Sequence, residues 1–229
     1  MCINTSPDRH TITLDLEQYI KTIVSRYEFE ELQAVPTPML HDLKLTKEDC
    51  PTTEEGKEAM RAYPFRSAIS SLMFAMVAMR ADLSYVVTCI ARFSANPGLP
   101  HWNALVRVYQ YVKGTADLKL TYSRMADTPA PLLYGYSDAD WATTDIDERR
   151  TCIGYCLFLS GAVILRLTRF WKPCLSSMEG ELGGVTEIAK NAIASRELMA
   201  SLPLSWYVLN KDIPTTVLLD ATATKQACD

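Results

Sequence analysis

The hydrophobic period of this chain changes from three-to-four to two at about Leu118, and a single layer cannot bury both patterns. Before that point three segments carry apolar residues at helical spacing. The first has Phe65, Ile69, Leu72, Phe74 and Met76, the second Leu83, Val86, Val87, Ile90 and Phe93, the third Trp102, Leu105, Val108 and Val112. Each set falls on one face of a helix. Asn96-Pro97-Gly98 stops the second segment and Gly114 stands where a helix cap is expected after the third, so short loops should make the helices neighbours.

Past the change, Leu118, Leu120 and Tyr122 alternate, and a Pro-containing linker over 126–131 precedes strands expected over 132–137, 152–159 and 162–168. Gly161 would turn the second of these into the third. Helical spacing returns over 176–202 through Leu182, Val185, Ala189, Ala192 and Met199, and a last strand is expected over 215–220. At the other end, Ile12, Leu14 and Leu16 read as a short strand that passes into a helix through Ile20, Ile23, Val24 and Tyr27, with Asp15 and Gln18 resembling a capping box. Pro36, Pro38 and Pro51 mark 34–56 as an extended surface connector. These patterns predict an α/β chain, α+β overall: a helical block, then a mixed sheet with one long helix. The expected domains are 1–125, with the connector inside it, and 131–229.

With 229 residues, 48% of them hydrophobic, the chain can bury two small cores. A net charge of −4 provides no general basic field, so any nucleic-acid contact must be local. Seven scattered cysteines without zinc-ligand spacing read as reduced thiols. The N-terminus lacks a basic stretch followed by an apolar run, and no segment approaches 20 consecutive apolar residues; the expectation is an intracellular protein, cytoplasmic or nuclear, neither secreted nor membrane-bound.

Several strings carry a resemblance. Tyr63-Pro64-Phe65-Arg66-Ser67-Ala68-Ile69, running on to Ser71-Leu72-Met73-Phe74-Ala75-Met76 and Asp82-Leu83-Ser84-Tyr85, is similar to the thumb-and-connection segment of copia-type LTR-retrotransposon Pol polyproteins. Ser94-Ala95-Asn96-Pro97-Gly98, His101-Trp102-Asn103-Ala104-Leu105 and Tyr111-Val112-Lys113-Gly114-Thr115 continue it in the same order. Gly135-Tyr136-Ser137-Asp138-Ala139-Asp140-Trp141-Ala142 and Ser176-Ser177-Met178-Glu179-Gly180-Glu181 resemble the two signature blocks of the family's ribonuclease H domain. The resemblance spans nearly the whole chain. It implies the C-terminal end of a reverse transcriptase joined to the N-terminal part of a ribonuclease H domain. The Tyr-x-Asp-Asp motif that supplies the polymerase's metal-binding aspartates does not occur here, so no polymerase activity is expected of this chain.

Ribonuclease H chemistry resembles other two-metal phosphodiester hydrolysis, in which hard oxygen ligands hold two Mg2+ or Mn2+ ions. The resemblance implies Asp138, Glu181 and Asp220 as the catalytic, metal-holding carboxylates. Read from the residues alone, Asp138, Asp140, Asp145, Asp147 and Glu148 also suit a solvated acidic loop, and Glu179 and Glu181 suit ordinary first-turn helix acids. The acidic loop lacks the glycine and the terminal bidentate glutamate of an EF-hand. Arg149, Arg150, Arg166, Arg169 and Lys172 are candidates for gripping phosphates, or equally for solvated hairpin charges. His101 and Trp102 suit a capping or core role better than a stacking platform, and Cys152 and Cys156 read as small buried hydrophobes.

Three departures count against activity. Ala221-Thr222-Ala223-Thr224 replaces the residues the family places after the third aspartate, and Gly183 and Gly184 interrupt the long helix at about 1 kcal/mol each relative to alanine. The chain also stops at Asp229, before the remaining helices, fifth strand and last ligand of the complete domain. A site with three ligands of four, a bare edge at the last strand and marginal solubility are therefore expected. The sequence thus points to a retroelement fragment that, if active, cuts RNA in RNA-DNA hybrids, and otherwise to an inactive remnant. The alternative is a recruited module that binds hybrid or DNA duplex without cutting it, alone or with the remaining polyprotein segments.

Overall fold

The computed structural model describes residues 1–41, 43–123, 133–141, 146–201 and 214–219. The linker over 126–131, Asp145 and Asp220 lie outside the described residues. In chain order the elements are β1 (Cys2–Thr5), β2 (Thr11–Asp15), α1 (Glu17–Arg26), α2 (Glu54–Met60), α3 (Phe65–Ala78), α4 (Ser84–Ala91), α5 (Leu99–Gly114), β3 (Lys119–Ser123), β4 (Leu133–Asp140), β5 (Cys152–Leu159), β6 (Ala162–Phe170), α6 (Ser177–Ser201) and β7 (Thr216–Leu218). The fold is α+β. Strands β1, β2 and β3 pair in that order in one sheet, and a four-stranded sheet runs β6-β5-β4-β7. The chain forms two compact units, one of Met1–Ile3 with Leu14–Lys119 and one of Asn4–Thr13 with Leu120–Asp229.

The first unit is helical. Ile20, Ile23 and Val24 of α1, Phe65, Ile69 and Leu72 of α3, Val86, Val87 and Ile90 of α4, and Leu105, Val108 and Val112 of α5 are all buried, so the three-and-four spacing lies on inward faces. Tyr109 is fully buried among them and donates its hydroxyl to the Ala68 carbonyl at 3.0 Å. The capping box expected at Asp15 does not form: the helix begins after Leu16 without a side-chain cap, and the Asp15 carboxylate accepts a 3.4 Å bond from the Glu17 N–H. Gly114 is the last residue of α5 and no left-handed cap. The connector passes so close that a β-carbon on Gly114 would stand 2.8 Å from that of Ala34. His101 is buried, accepts the Gly98 N–H at Nδ1 (2.9 Å) and stacks on Phe93, while Trp102 packs against Phe29 and Tyr63. Both serve the start of α5 and its core, not a base-stacking surface.

The second unit has the mixed sheet, with α6 against one face. Strand β4 is central: β5 runs antiparallel to it from Leu133↔Leu159 to Asp140↔Cys152, and β7 runs parallel to it from Tyr134↔Thr216 to Tyr136↔Leu218. Strands β5 and β6 form a hairpin turned by Ser160 (φ 52°) and Gly161 (φ 87°), two successive positive φ values that match the twist of a two-residue hairpin. Leu133, Tyr155, Leu157, Ile188, Ala192 and Met199 make the core between sheet and helix. Among the described residues no helix is long and apolar enough to cross a membrane, and the six described cysteines are free thiols.

Candidate carboxylate site

Strand pleat decides where the side chains of β4 go. Leu133, Gly135 and Ser137 are buried beneath α6, while Tyr136 and Asp138 are exposed. The approach of α6 fixes this assignment. A β-carbon on Gly184 would stand 2.5 Å from the Ser137 hydroxyl, and one on Gly180 would stand 3.5 Å from that of Ala139. Ser137 and Ala139 therefore face the helix, and Asp138 between them leaves the strand on the opposite face. Its partner on β5 is Gly154, where a β-carbon would meet only the Leu167 carbonyl at 3.7 Å, so no side chain crowds the carboxylate from that strand.

The two glutamates of α6 have different surroundings. Glu179 accepts the Leu175 N–H at 2.8 Å, pairs with Lys172 Nζ at 2.6 Å, and receives support from Ser176, whose hydroxyl accepts the Glu179 N–H. The Lys172 hydrogen bond, then the Leu175 N–H, hold its carboxyl below the usual range. Glu179 is thus a helix-start acid. Glu181 is 6% exposed and belongs to the buried stripe of α6 that includes Gly180, Gly184 and Ile188. Of the three expected carboxylates, the structure puts Asp138 on the open face and Glu181 in the buried stripe of the helix on the other; Asp220 lies outside the described residues. The donors have the right chemistry for a hard cation, but among the described residues no three His, Cys, Asp or Glu side chains are grouped to hold one.

The glycines of α6, read from sequence as a weakness, have a packing role. Gly183 lies against the Trp171 ring and Gly184 over Ser137, so the helix approaches the sheet where a β-carbon would not fit. The basic residues do not form one patch. Arg169 pairs with Glu187 (3.6 Å), Lys172 with Glu179 and Arg150 with Glu148 (3.2 Å). The register sends Arg166, opposite Cys156, to the Asp138 face and Arg169, opposite Ile153, to the helix face. Arg149 lies between the turn at 146–148 and β5, with φ 50°.

The chain is 37% identical over 192 residues to the retrovirus-related Pol polyprotein from transposon TNT 1-94 of Nicotiana tabacum, an alignment covering 83% of this chain and 14% of that protein. It is 32% identical over 146 residues to the Pol polyprotein from transposon RE2 of Arabidopsis thaliana, covering 64% of this chain and 9% of the relative. Several of its homologues are retrotransposon Pol polyproteins. It is also 35% identical over 135 residues to the secreted RxLR effector protein 161 of Plasmopara viticola, covering 58% of this chain and 92% of that protein. The chain therefore spans a small part of the long polyproteins it matches but nearly the whole of one short relative. No family model and no solved structure matches it.

Proposed function

We propose that this chain carries the reverse transcriptase–ribonuclease H junction of a copia-type element, and that its second unit acts on the RNA strand of RNA-DNA hybrids. The observation that carries this reading is the setting of Asp138 on the central strand of the mixed sheet. Strand β5 is antiparallel on one side of β4 and β7 parallel on the other, and Glu181 lies near the start of the helix that packs on the same strand. Asp138 stands two residues beyond the last β4–β7 pair, Tyr136↔Leu218, and Asp220 follows Leu218 by two residues in the sequence. With Glu181 they supply the carboxylate oxygens that would hold Mg2+ or Mn2+. Such ions, when bound, supply an activated water and charge stabilisation at the leaving oxygen. The chain's own contribution is to present Asp138 uncrowded, opposite Gly154, and to place Arg166 on the same face for phosphate contact.

A second reading, binding of duplex without cutting, is favoured by one specific observation: Asp138 faces away from the helix that carries Glu181. Hydrolysis of a labelled RNA-DNA hybrid by the purified chain, with magnesium or manganese, separates the two. Cleavage that disappears in Asp138→Asn supports the hydrolytic reading. Folded protein that binds hybrid with a steep salt dependence, indifferent to the metal and to Asp138→Asn, leaves the binding reading in its place.

A further inference from the structure

Three contacts fix how far α6 can slide along β4. Gly184 lies over Ser137, Gly180 lies beside Ala139, and the Trp141 indole N–H donates to the Cys174 carbonyl at 2.8 Å. Residue numbers rise along β4 as they fall along α6 and its lead-in, so helix and strand run antiparallel. The step from the first contact to the second suits both elements, since two strand residues advance about 6.6 Å and four helical residues about 6 Å. Glu181 directly follows Gly180 and therefore stands, along β4, between the Ala139 and Ser137 contacts, at the level of Asp138.

The two glycine contacts resist sliding through shape alone, whereas the Trp141 bond is directional. Its ring is 47% exposed, so apolar burial accounts for only part of a tryptophan at the end of β4, and its polar edge has a defined task. What that edge holds is the lead-in to α6. Within the lead-in, Lys172 pairs with Glu179 at 2.6 Å and the Leu175 N–H donates to the same carboxylate, so the segment is tied to the first turn of the helix. Thr151 holds its other side, its carbonyl accepting the Trp171 N–H (2.8 Å) and its N–H donating to the Lys172 carbonyl (3.2 Å). We propose that Trp141 is a positioning residue for the carboxylates: its bond to Cys174 sets the register of α6 on β4, and with it the place of Glu181 at the level of Asp138. This rests on the hydrolytic reading of the second unit, in which the two carboxylates serve one site.

The test is Mn2+ binding to the full chain, followed by the electron paramagnetic resonance signal of the free ion, for the unaltered protein, Trp141→Phe, Glu181→Gln and the double variant. Trp141→Phe keeps an aromatic ring and removes the N–H, and the Thr151 bonds remain to hold the lead-in. Its Mn2+ affinity should fall about tenfold, the lower end for a group that orients a metal ligand. In the Glu181→Gln background the same change should have no further effect, because it acts through Glu181. Hydrogen exchange should meanwhile quicken at the amides of 174–181. Folded Trp141→Phe with unaltered affinity, where Glu181→Gln loses it, overturns the proposal and leaves the hydrolytic reading standing. An equal loss in both backgrounds also overturns it, since that is general loosening, and so does a Trp141→Phe chain that does not fold. Mn2+ binding that is absent, or indifferent to Glu181→Gln, removes the hydrolytic reading instead. Faster exchange confined to 174–181 then still assigns the register of α6 to Trp141, and unchanged exchange overturns that as well.

Discussion

Gly183 of α6 lies flush against the indole of Trp171: a β-carbon at this position would come within 2.8 Å of ring carbons Cε3 and Cη2. Propensity alone says that alanine here should stabilise the helix by about 1 kcal/mol. Packing says the opposite, because a rigid ring has to move and overpacking a tight contact costs about 1–3 kcal/mol. The contact should win. Gly183→Ala is expected to lower the melting temperature of the chain, and Trp171→Leu in the same molecule to recover part of the loss. Thermal denaturation followed by circular dichroism checks both. A Gly183→Ala variant more stable than the unaltered chain would mean that the helix does not sit this close to Trp171.

In the helical unit the buried guanidinium of Arg80, 3% exposed, bonds to both carboxylate oxygens of Asp82 and to the Thr115 carbonyl and hydroxyl. Tyr111 donates its hydroxyl to the same aspartate at 2.9 Å. Burial works to raise the Asp82 carboxyl, and the bonds and charge of Arg80 outweigh it, so the group is held below its usual range. A folded-state value below the unfolded one contributes stability that is present above about pH 4 and lost as the pH falls through the lowered value. Asp82→Asn should therefore cost about 2 kcal/mol near neutral pH, less than for a fully buried pair because Asp82 is a third exposed. It should also flatten the acid side of the stability curve. Urea denaturation at pH 7 and pH 3 measures both, and an equal loss at the two pH values would exclude this linkage.

Legibility of these features in the sequence follows what each element buries. Strands β5 and β6 are largely apolar runs joined by Ser160 and Gly161, so composition and turn chemistry agree. Helix α6 spans Ser177–Ser201, within a residue of the apolar spacing over 176–202. Helix α2 buries nothing, leaving no apolar period to read. Its local signals are the Thr53 hydroxyl accepting the Gly56 N–H and the Glu54–Lys57 pair. Strand β1 is exposed at all four positions and was equally silent. The glycines of α6 were legible only as a cost, since their partners Trp171 and Ser137 are separated from them in sequence. The candidate site was legible in its residue types and in its element ends. The faces were not, because they depend on which side of β4 receives the helix.

Glu179 and Glu181 provide the sharpest test of the proposed hydrolytic site, since they are only two residues apart and differ mainly in surroundings. Glu179 already has its ligands in the Leu175 N–H and the Lys172 ammonium, and its lowered carboxyl belongs to that local pairing. Glutamine at 179 keeps the shape and an oxygen for the Leu175 N–H, so hybrid cleavage should persist. Glu181 sits in the buried stripe of α6, where an ionised carboxylate is costly to keep and a bound cation would offset that cost. Glutamine at 181 removes the charge at constant volume and should leave the fold intact while metal-dependent cleavage falls on the order of 100-fold. Parallel hydrolysis assays of the two variants over a magnesium titration measure the difference. Loss of cleavage in Glu179→Gln with retention in Glu181→Gln would move the site to the exposed start of the helix and sink the assignment to Glu181.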